Sequence, residues 1–342
     1  MPATPPTAPS DPGTGPVPGT GPGLVTLADI EHAAGLIAGT AVRTPLVPFP
    51  TPGGDRFLLK AESLQPVGAF KLRGAYATIA GLPADERARG VVAHSSGNHA
   101  QAVAWTARAL GIRCVLVIPH TTPGVKVEAC IALGAEIVYV EPTLEARVET
   151  AEKLAAAHGF TLVAPFDDPR VIAGQGTVGL EIVRDEPDLD LVLVPVSGGG
   201  LVSGVAAAVK AVNPRARVVG VEPELAADAR DSLRAGRPVA WAAEDTGRTV
   251  ADALRVQRLG DLTFAHVREL VDDIVTVSED EILLTMRRVA REARLIAEPG
   301  GAVAAAAYLY RRGELPPART TVAVLSGGNV DPALFLDVLR QG

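Results

Sequence analysis

From Val25 onward, short runs rich in β-branched residues alternate with longer stretches of helical pattern. The strand candidates are 57–60, 90–94, 113–118, 136–140, 161–163, 191–196, 217–221, 274–277 and 320–325. Between most of them lie helical segments, such as 99–110, 124–133, 144–158, 171–185 and 201–212. Strands joined through helices run parallel, and a parallel sheet is covered on both faces. The predicted class is therefore α/β, with open parallel sheets and helices on both faces. At 342 residues and 47% apolar composition, the chain exceeds one typical core and predicts about two domains. No fixed-period repeat is visible, which sets solenoids aside.

Composition removes several function classes. The net charge is −7, the isoelectric point is near 5.5, and no block of Lys or Arg occurs. That argues against nucleic acid or an acidic membrane surface as partner. The longest apolar stretches, such as 191–196 and 302–310, are too short to span a bilayer. Two cysteines, Cys114 and Cys130, allow neither a disulfide framework nor a metal cluster, and they suit a reducing cytosol. Residues 1–24 form a Pro/Gly/Thr tail with no basic or apolar signal segment, expected to be disordered.

In open α/β sheets, ligands bind where strand ends feed into helices. Three such loops stand out. After the 191–196 strand comes Ser197-Gly198-Gly199-Gly200-Leu201, followed by Val202-Ser203-Gly204 and an apolar helix. Glycine backbone N–H groups and a helix N-terminus suit a phosphate. A dinucleotide site is the rival, with Glu222 about twenty residues on as the ribose acid. The glycine spacing is not G-x-G-x-x-G, and a plain tight turn is a third reading. After His94 comes Ser95-Ser96-Gly97-Asn98-His99, which suits a carboxylate, or else an ordinary N-cap by Ser95 or Asn98. After Leu325 comes Ser326-Gly327-Gly328-Asn329.

Lysine is scarce here. Only Lys60, Lys71, Lys126, Lys153 and Lys210 occur among 32 Lys and Arg residues. Lys71 sits within Gly68-Ala69-Phe70-Lys71-Leu72-Arg73-Gly74-Ala75, between two large apolar side chains. A partly exposed lysine at a helix start is the plain reading. Lysine is also the side chain that forms Schiff bases with carbonyl compounds, and desolvation favours its nucleophilic neutral amine.

Together these motifs resemble the fold-type II pyridoxal-phosphate enzymes, specifically the threonine/serine dehydratase and serine racemase group. The resemblance runs from about Val25 to the end and includes Phe166-Asp167-Asp168-Pro169 and Ala173-Gly174-Gln175-Gly176-Thr177. It implies a tryptophan synthase beta-like fold. A large cofactor domain would comprise 25–86 and 166–342, and a small domain 87–165. It also implies Lys71 as the Schiff-base lysine, preceded by Phe70, and Ser197, Gly198, Gly199, Gly200 and Leu201 as the phosphate cup. Asn98 would meet the cofactor's 3′-oxygen and Ser326 would face the ring nitrogen. Ser95, Ser96, Asn98 and His99 would form the substrate-carboxylate loop. Glu298 would lie close to the ring, with helix capping as its alternative. His99 is given no proton-transfer role.

The implied reaction is β-elimination from a hydroxyamino acid to a 2-oxo acid and ammonia, with Lys71 removing the Cα proton. Branch markers are mixed. Ser96 and Arg147 resemble serine racemases, Ser96 as a second proton carrier and Arg147 as a partner for a substrate carboxylate or else a solvated helix residue. Phe166-Asp167-Asp168-Pro169 and Ala251-Asp252-Ala253-Leu254 resemble dehydratases. A 3-hydroxyaspartate dehydratase is a further reading. Glu222, the Ala226 carbonyl and Asp228 resemble the family's loop for Mg²⁺ or Ca²⁺, against a solvated acidic turn. A cytoplasmic homodimer or homotetramer is expected. The chain ends soon after Asp331, so no regulatory domain of the isoleucine-inhibited type is expected.

Overall fold

The computed structural model describes residues 23–51 and 54–340, so the predicted tail lies outside the described residues up to residue 22. Among the described residues ten strands form two sheets. They are β1 (Leu46–Pro48), β2 (Arg56–Ala61), β3 (Val91–His94), β4 (Cys114–Pro119), β5 (Glu136–Val140), β6 (Thr161–Leu162), β7 (Leu191–Pro195), β8 (Arg217–Pro223), β9 (Asp273–Val277) and β10 (Thr320–Leu325). The six-stranded sheet has the order β1-β2-β10-β7-β8-β9, and the four-stranded sheet β5-β4-β3-β6. Every pairing is parallel except that of β1 with β2. The short β1 is the strand that apolar periodicity does not announce. Its burial is partial and it borders the sheet, where packing dictates little of its sequence.

The strands are apolar on both faces because both faces are covered. Along β7, Leu191 and Leu193 enter one core while Val192 and Val194 enter the core on the opposite face. In β4, Cys114, Leu116 and Ile118 likewise face one core and Val115 and Val117 another. Alternate residues point to opposite faces, so two cores demand a continuous apolar run.

Helices Pro169–Asp185 and Gly200–Val212 pack at unusually short range. A Cβ at Gly204 would overlap the Ile172 carbonyl and the Gly176 backbone. The small residues in Ala173-Gly174-Gln175-Gly176-Thr177 are thereby explained by contact.

A charged cluster is enclosed beneath the helix that begins at Lys71. Arg73 is fully buried, donating at 2.8 Å to each oxygen of Glu62 and at 2.7 and 2.8 Å to those of Glu181. Buried Lys60, on β2, donates to Glu181 at 2.5 Å and to the Thr44 carbonyl at 2.7 Å. Two cations and two carboxylates thus tie β2, the turn Glu62–Leu64 and helices Lys71–Ala80 and Pro169–Asp185 together. Removing one member would strand a buried charge, at a cost of about 3–5 kcal/mol.

Candidate active site

The start of helix Lys71–Ala80 is stitched to the end of β10. The Phe70 N–H donates to the Ser326 carbonyl at 3.0 Å, the Gly328 N–H to the Gly68 carbonyl at 2.9 Å, and Ala69 pairs with Gly327. Lys71 is the first residue of the helix. Its amine donates to the Pro165 carbonyl at 2.6 Å and lies 5.2 Å from the Phe70 ring centroid. Burial lowers its pKa from 10.5 to about 8. The residue as a whole is the partly exposed helix-start lysine that the plain reading expects, while its amine is desolvated.

Beyond β3, Gly97 occupies the N-cap of helix Asn98–Leu110 and no side chain caps it. The N-cap reading for Ser95 or Asn98 is therefore corrected. A helix start leaves backbone N–H groups available, and here none is taken by a cap. Asn98 is held at both ends of its amide. Its Nδ2 donates to Glu298 Oε1 at 2.7 Å, and its Oδ1 accepts from Asn329 Nδ2 at 2.8 Å. Asn329 in turn donates to the Val67 carbonyl at 2.8 Å. Glu298 stands at the N-cap position of helix Pro299–Tyr310 yet makes no capping bond. Its buried carboxyl is raised to about 8 by burial and then by the charge of Asp252, against the Asn98 bond and Lys126.

His99 is buried, with Nε2 3.0 Å from the Val163 carbonyl. A carbonyl only accepts, so Nε2 carries the hydrogen and Nδ1 is a bare acceptor. That Nδ1 is buried without a partner. Burial, then the neighbouring Lys71, pushes the ring's pKa down to about 3, so it stays neutral. Ser95 and Ser96 are half-buried in the same loop. Arg147 is half-buried on helix Leu144–His158, where it donates to the Thr143 carbonyl at 3.3 Å. Burial and the charge of Arg147 together lower the pKa of His94, at the end of β3, so this arginine reaches the neighbourhood of the Ser95–Gly97 loop.

The glycine loop follows β7. Gly199 has φ +92°, which disfavours any side chain, and a Cβ there would come within 2.8 Å of Thr263 and Leu259. Gly198 and Gly200 lie against Phe166. Leu201 is buried in the first turn of helix Gly200–Val212. Thr263 Oγ1 donates to the Gly198 carbonyl at 2.7 Å, and the Val256 N–H reaches Ser197 Oγ at 3.4 Å. Asp167 accepts the N–H groups of Asp261, Leu262 and Thr263 at 3.1, 3.0 and 3.0 Å. Phe166 and Asp167 therefore shape the loop from outside it. Sequence reading found them only as a family motif, and Thr263 gave no signal.

At the end of β8, Glu222 accepts the N–H groups of Ala229 and Arg230 at 3.0 and 2.8 Å. Both Asp228 carboxylate oxygens are buried without a hydrogen-bond partner, and Ala226 is buried beside them. Burial, then Asp228, raises the Glu222 carboxyl. A solvated acidic turn is excluded by this burial. Among the described residues no group of three or more His, Cys, Asp or Glu side chains stands ready for a metal. The two thiols are buried, and burial pushes Cys114 up to about 12 and Cys130 to about 11, so both are unreactive.

Residues 37–327 match the family described as pyridoxal-phosphate dependent enzyme. The chain belongs to that family. Among its relatives, an L-threonine ammonia-lyase from Thermotoga maritima is 41% identical over 93% of this chain and 79% of the relative. An L-threo-3-hydroxyaspartate ammonia-lyase from Saccharomyces cerevisiae is 41% identical over 81% of this chain and 84% of the relative. The solved structure of maize serine racemase superposes with a TM-score of 0.87 at 36% identity, covering 93% of this chain and 97% of that one. The fold is accordingly that of the fold-type II members of the pyridoxal-phosphate family. The site fits the cofactor on its own evidence: a desolvated amine, a glycine loop packed too closely on Phe166, Leu259 and Thr263 to carry side chains and so left with bare backbone, and an unpartnered buried acceptor on His99.

Proposed function

We propose that this chain is a pyridoxal-phosphate-dependent ammonia-lyase that eliminates the β-hydroxyl of L-threonine and L-serine, releasing a 2-oxo acid and ammonia. The observation that carries the reading is the Lys71 amine, desolvated and held on the Pro165 carbonyl at the start of a helix that Phe70 stitches to the Ser326 strand end. When bound, the cofactor supplies a conjugated ring that takes up the charge left at the substrate Cα. Lys71 would hold it through its amine and, once freed by substrate, take the Cα proton. Ser197, Gly198, Gly199, Gly200 and Leu201 would receive the phosphate on backbone N–H groups at a helix start. Phe70 would pack beside it. Asn98, braced by Glu298 and Asn329, would meet the ring oxygen. Ser326 would face the ring nitrogen, and a hydroxyl there, too weak an acid to protonate it fully, moderates the electron sink. The uncapped N–H groups beyond Ser95, Ser96 and Gly97 would bind the substrate carboxylate above His99, fixing the Cα–H bond towards Lys71.

A second reading, racemisation of serine, rests on Ser96 and Arg147, the hydroxyl as proton carrier opposite Lys71 and the guanidinium as carboxylate partner. Elimination from 3-hydroxyaspartate is the third. One experiment separates them: incubation with L-serine, L-threonine, D-serine and L-threo-3-hydroxyaspartate, following 2-oxo acid release and chirality together. Release from L-threonine or L-serine supports the reading, and no release from any of the four overturns it.

The remaining features extend the proposal. Residues 25–86 with 166–342 would form the large cofactor domain and 87–165 the small one. Glu222, the Ala226 carbonyl and Asp228 would bind Mg²⁺ or Ca²⁺, supported by the two orphaned Asp228 oxygens. Either cation should then raise Tm, with Asp228→Asn abolishing the gain. An unchanged Tm would remove this site. Among the described residues no helix is long and apolar enough to cross a membrane. A homo-oligomer in the cytosol completes the reading.

A further inference from the structure

Lys126 and Asp252 form an ion pair of 2.7 Å between parts of the chain that cover different sheets. Lys126 lies in the first turn of helix Gly124–Ala132, which follows β4 of the four-stranded sheet. Asp252 opens the turn Asp252–Leu254, whose Leu254 and Ala253 would stand 3.2 and 3.3 Å from a Cβ at Gly300, in the first turn of the helix after Glu298. Other ion pairs of the four-stranded part, Arg113–Glu136, His120–Glu141 and Lys153–Glu149, stay inside it.

Asp252 stands on firm ground. Glu279 accepts from Thr249 Oγ1 at 2.8 Å and from the Val250 N–H at 2.6 Å, and the Ala251 N–H reaches Thr249 Oγ1 at 3.2 Å. The pair also stands near the reacting region, because both charges act on the Glu298 carboxyl that holds Asn98. Lys126 therefore reaches from the loop side of β4 across to a fixed post beside the strand-end loops.

We propose that Lys126 and Asp252 are positioning residues that clasp the four-stranded part of the molecule against the six-stranded part over the substrate loop, and so set the affinity for the amino acid. This rests on the reading of the site as an amino-acid lyase. The side chains are 35% and 45% exposed, so the pair adds little to global stability. Its effect is a shift of roughly two- to five-fold in how much of the protein is closed, screened by salt.

The test uses Lys126→Ala, Asp252→Asn and the exchanged pair Lys126→Asp with Asp252→Lys in the holoenzyme. Both single variants should raise KM for L-threonine about two- to five-fold at low ionic strength, with Tm unchanged. Both should also speed hydrogen exchange in helix Gly124–Ala132, and the exchanged pair should recover both properties. An electrostatic influence on Glu298 alone predicts the reverse symmetry, since Lys126 and Asp252 push its carboxyl in opposite directions. Single variants that move KM in opposite senses, or that leave exchange unchanged, would overturn the clasp. If the wild type turns over no hydroxyamino acid, the lyase reading fails and hydrogen exchange alone decides the clasp.

Discussion

Asn98 and Glu298, 200 residues apart in the chain, share a 2.7 Å hydrogen bond that joins the first turn of the helix after β3 to the residue preceding helix Pro299–Tyr310. With Asn329 on the other side of the amide, the bond leaves Asn98 one orientation. A side chain that must present one N–H to a ligand gains from having its other partners already filled.

Glu298 gives this bond a pH signature. Its carboxyl has an ordinary pKa of 4.5 and a folded value of about 8. Between those values the unfolded chain releases a proton that the folded chain keeps. The contribution is complete below about 4.5 and is lost as pH rises towards 8. Glu298→Gln keeps the acceptor for Asn98 and stays neutral. Its Tm relative to wild type should therefore climb steadily from pH 5 to pH 8. Parallel Tm curves would show that the carboxyl is already ionised.

Lys71 should reveal its desolvation in cofactor capture. The neutral amine is the attacking form, and a pKa near 8 makes it available well below the range of an exposed lysine. The rate of cofactor recapture by stripped protein should rise with pH and level off just above 8. Lys71→Ala should show no borohydride-bleachable absorbance and lose about 10²–10⁴-fold or more in turnover. A capture rate still climbing at pH 10 would mean an ordinary, solvated amine.

The glycine loop is set by its neighbours. A methyl at Gly198 runs into the Phe166 ring. Gly198→Ala should weaken cofactor binding about ten-fold, roughly 1.4 kcal/mol. Combining it with Phe166→Ala should restore part of that loss, because the two sites share one contact. Equal losses in the single and double variants, measured by titration of the cofactor, would exclude the clash.

Ser96 divides the two faces of the substrate. Ser96→Ala should reduce racemisation of serine about 10²-fold or more while leaving elimination from the L-isomer within about three-fold. Chiral analysis of residual serine and assay of the 2-oxo acid read the two reactions separately. An equal collapse of elimination from L-threonine would mean that the hydroxyl serves binding, not proton transfer.

The strands were legible because parallel sheets covered on both faces need uninterrupted apolar runs, and β7 and β10 carry them. Site loops were legible for a related reason: strand ends that bind anions need glycine, serine and asparagine where a buried strand would not tolerate them. Lys60 and Arg73 were not. A fully buried cation looks, in one dimension, like a surface one, and only Glu62 and Glu181 from distant elements make its burial tolerable. The depressed Lys71 amine and the raised Glu298 carboxyl were equally hidden, since both shifts come mainly from burial.

What the sequence determined by itself was the alternation that makes an α/β chain and the three strand-end loops with an isolated lysine. Those are local matters of periodicity and backbone permissiveness, readable a few residues at a time. The tertiary structure decided which loops meet. Residues Gly68 to Phe70 are joined to Ser326–Gly328, Asn98 to Glu298, and Phe166 to Gly198, each across a long stretch of chain. Such contacts depend on sheet order and helix packing, and their electrostatics on exclusion of water, neither of which a local pattern carries.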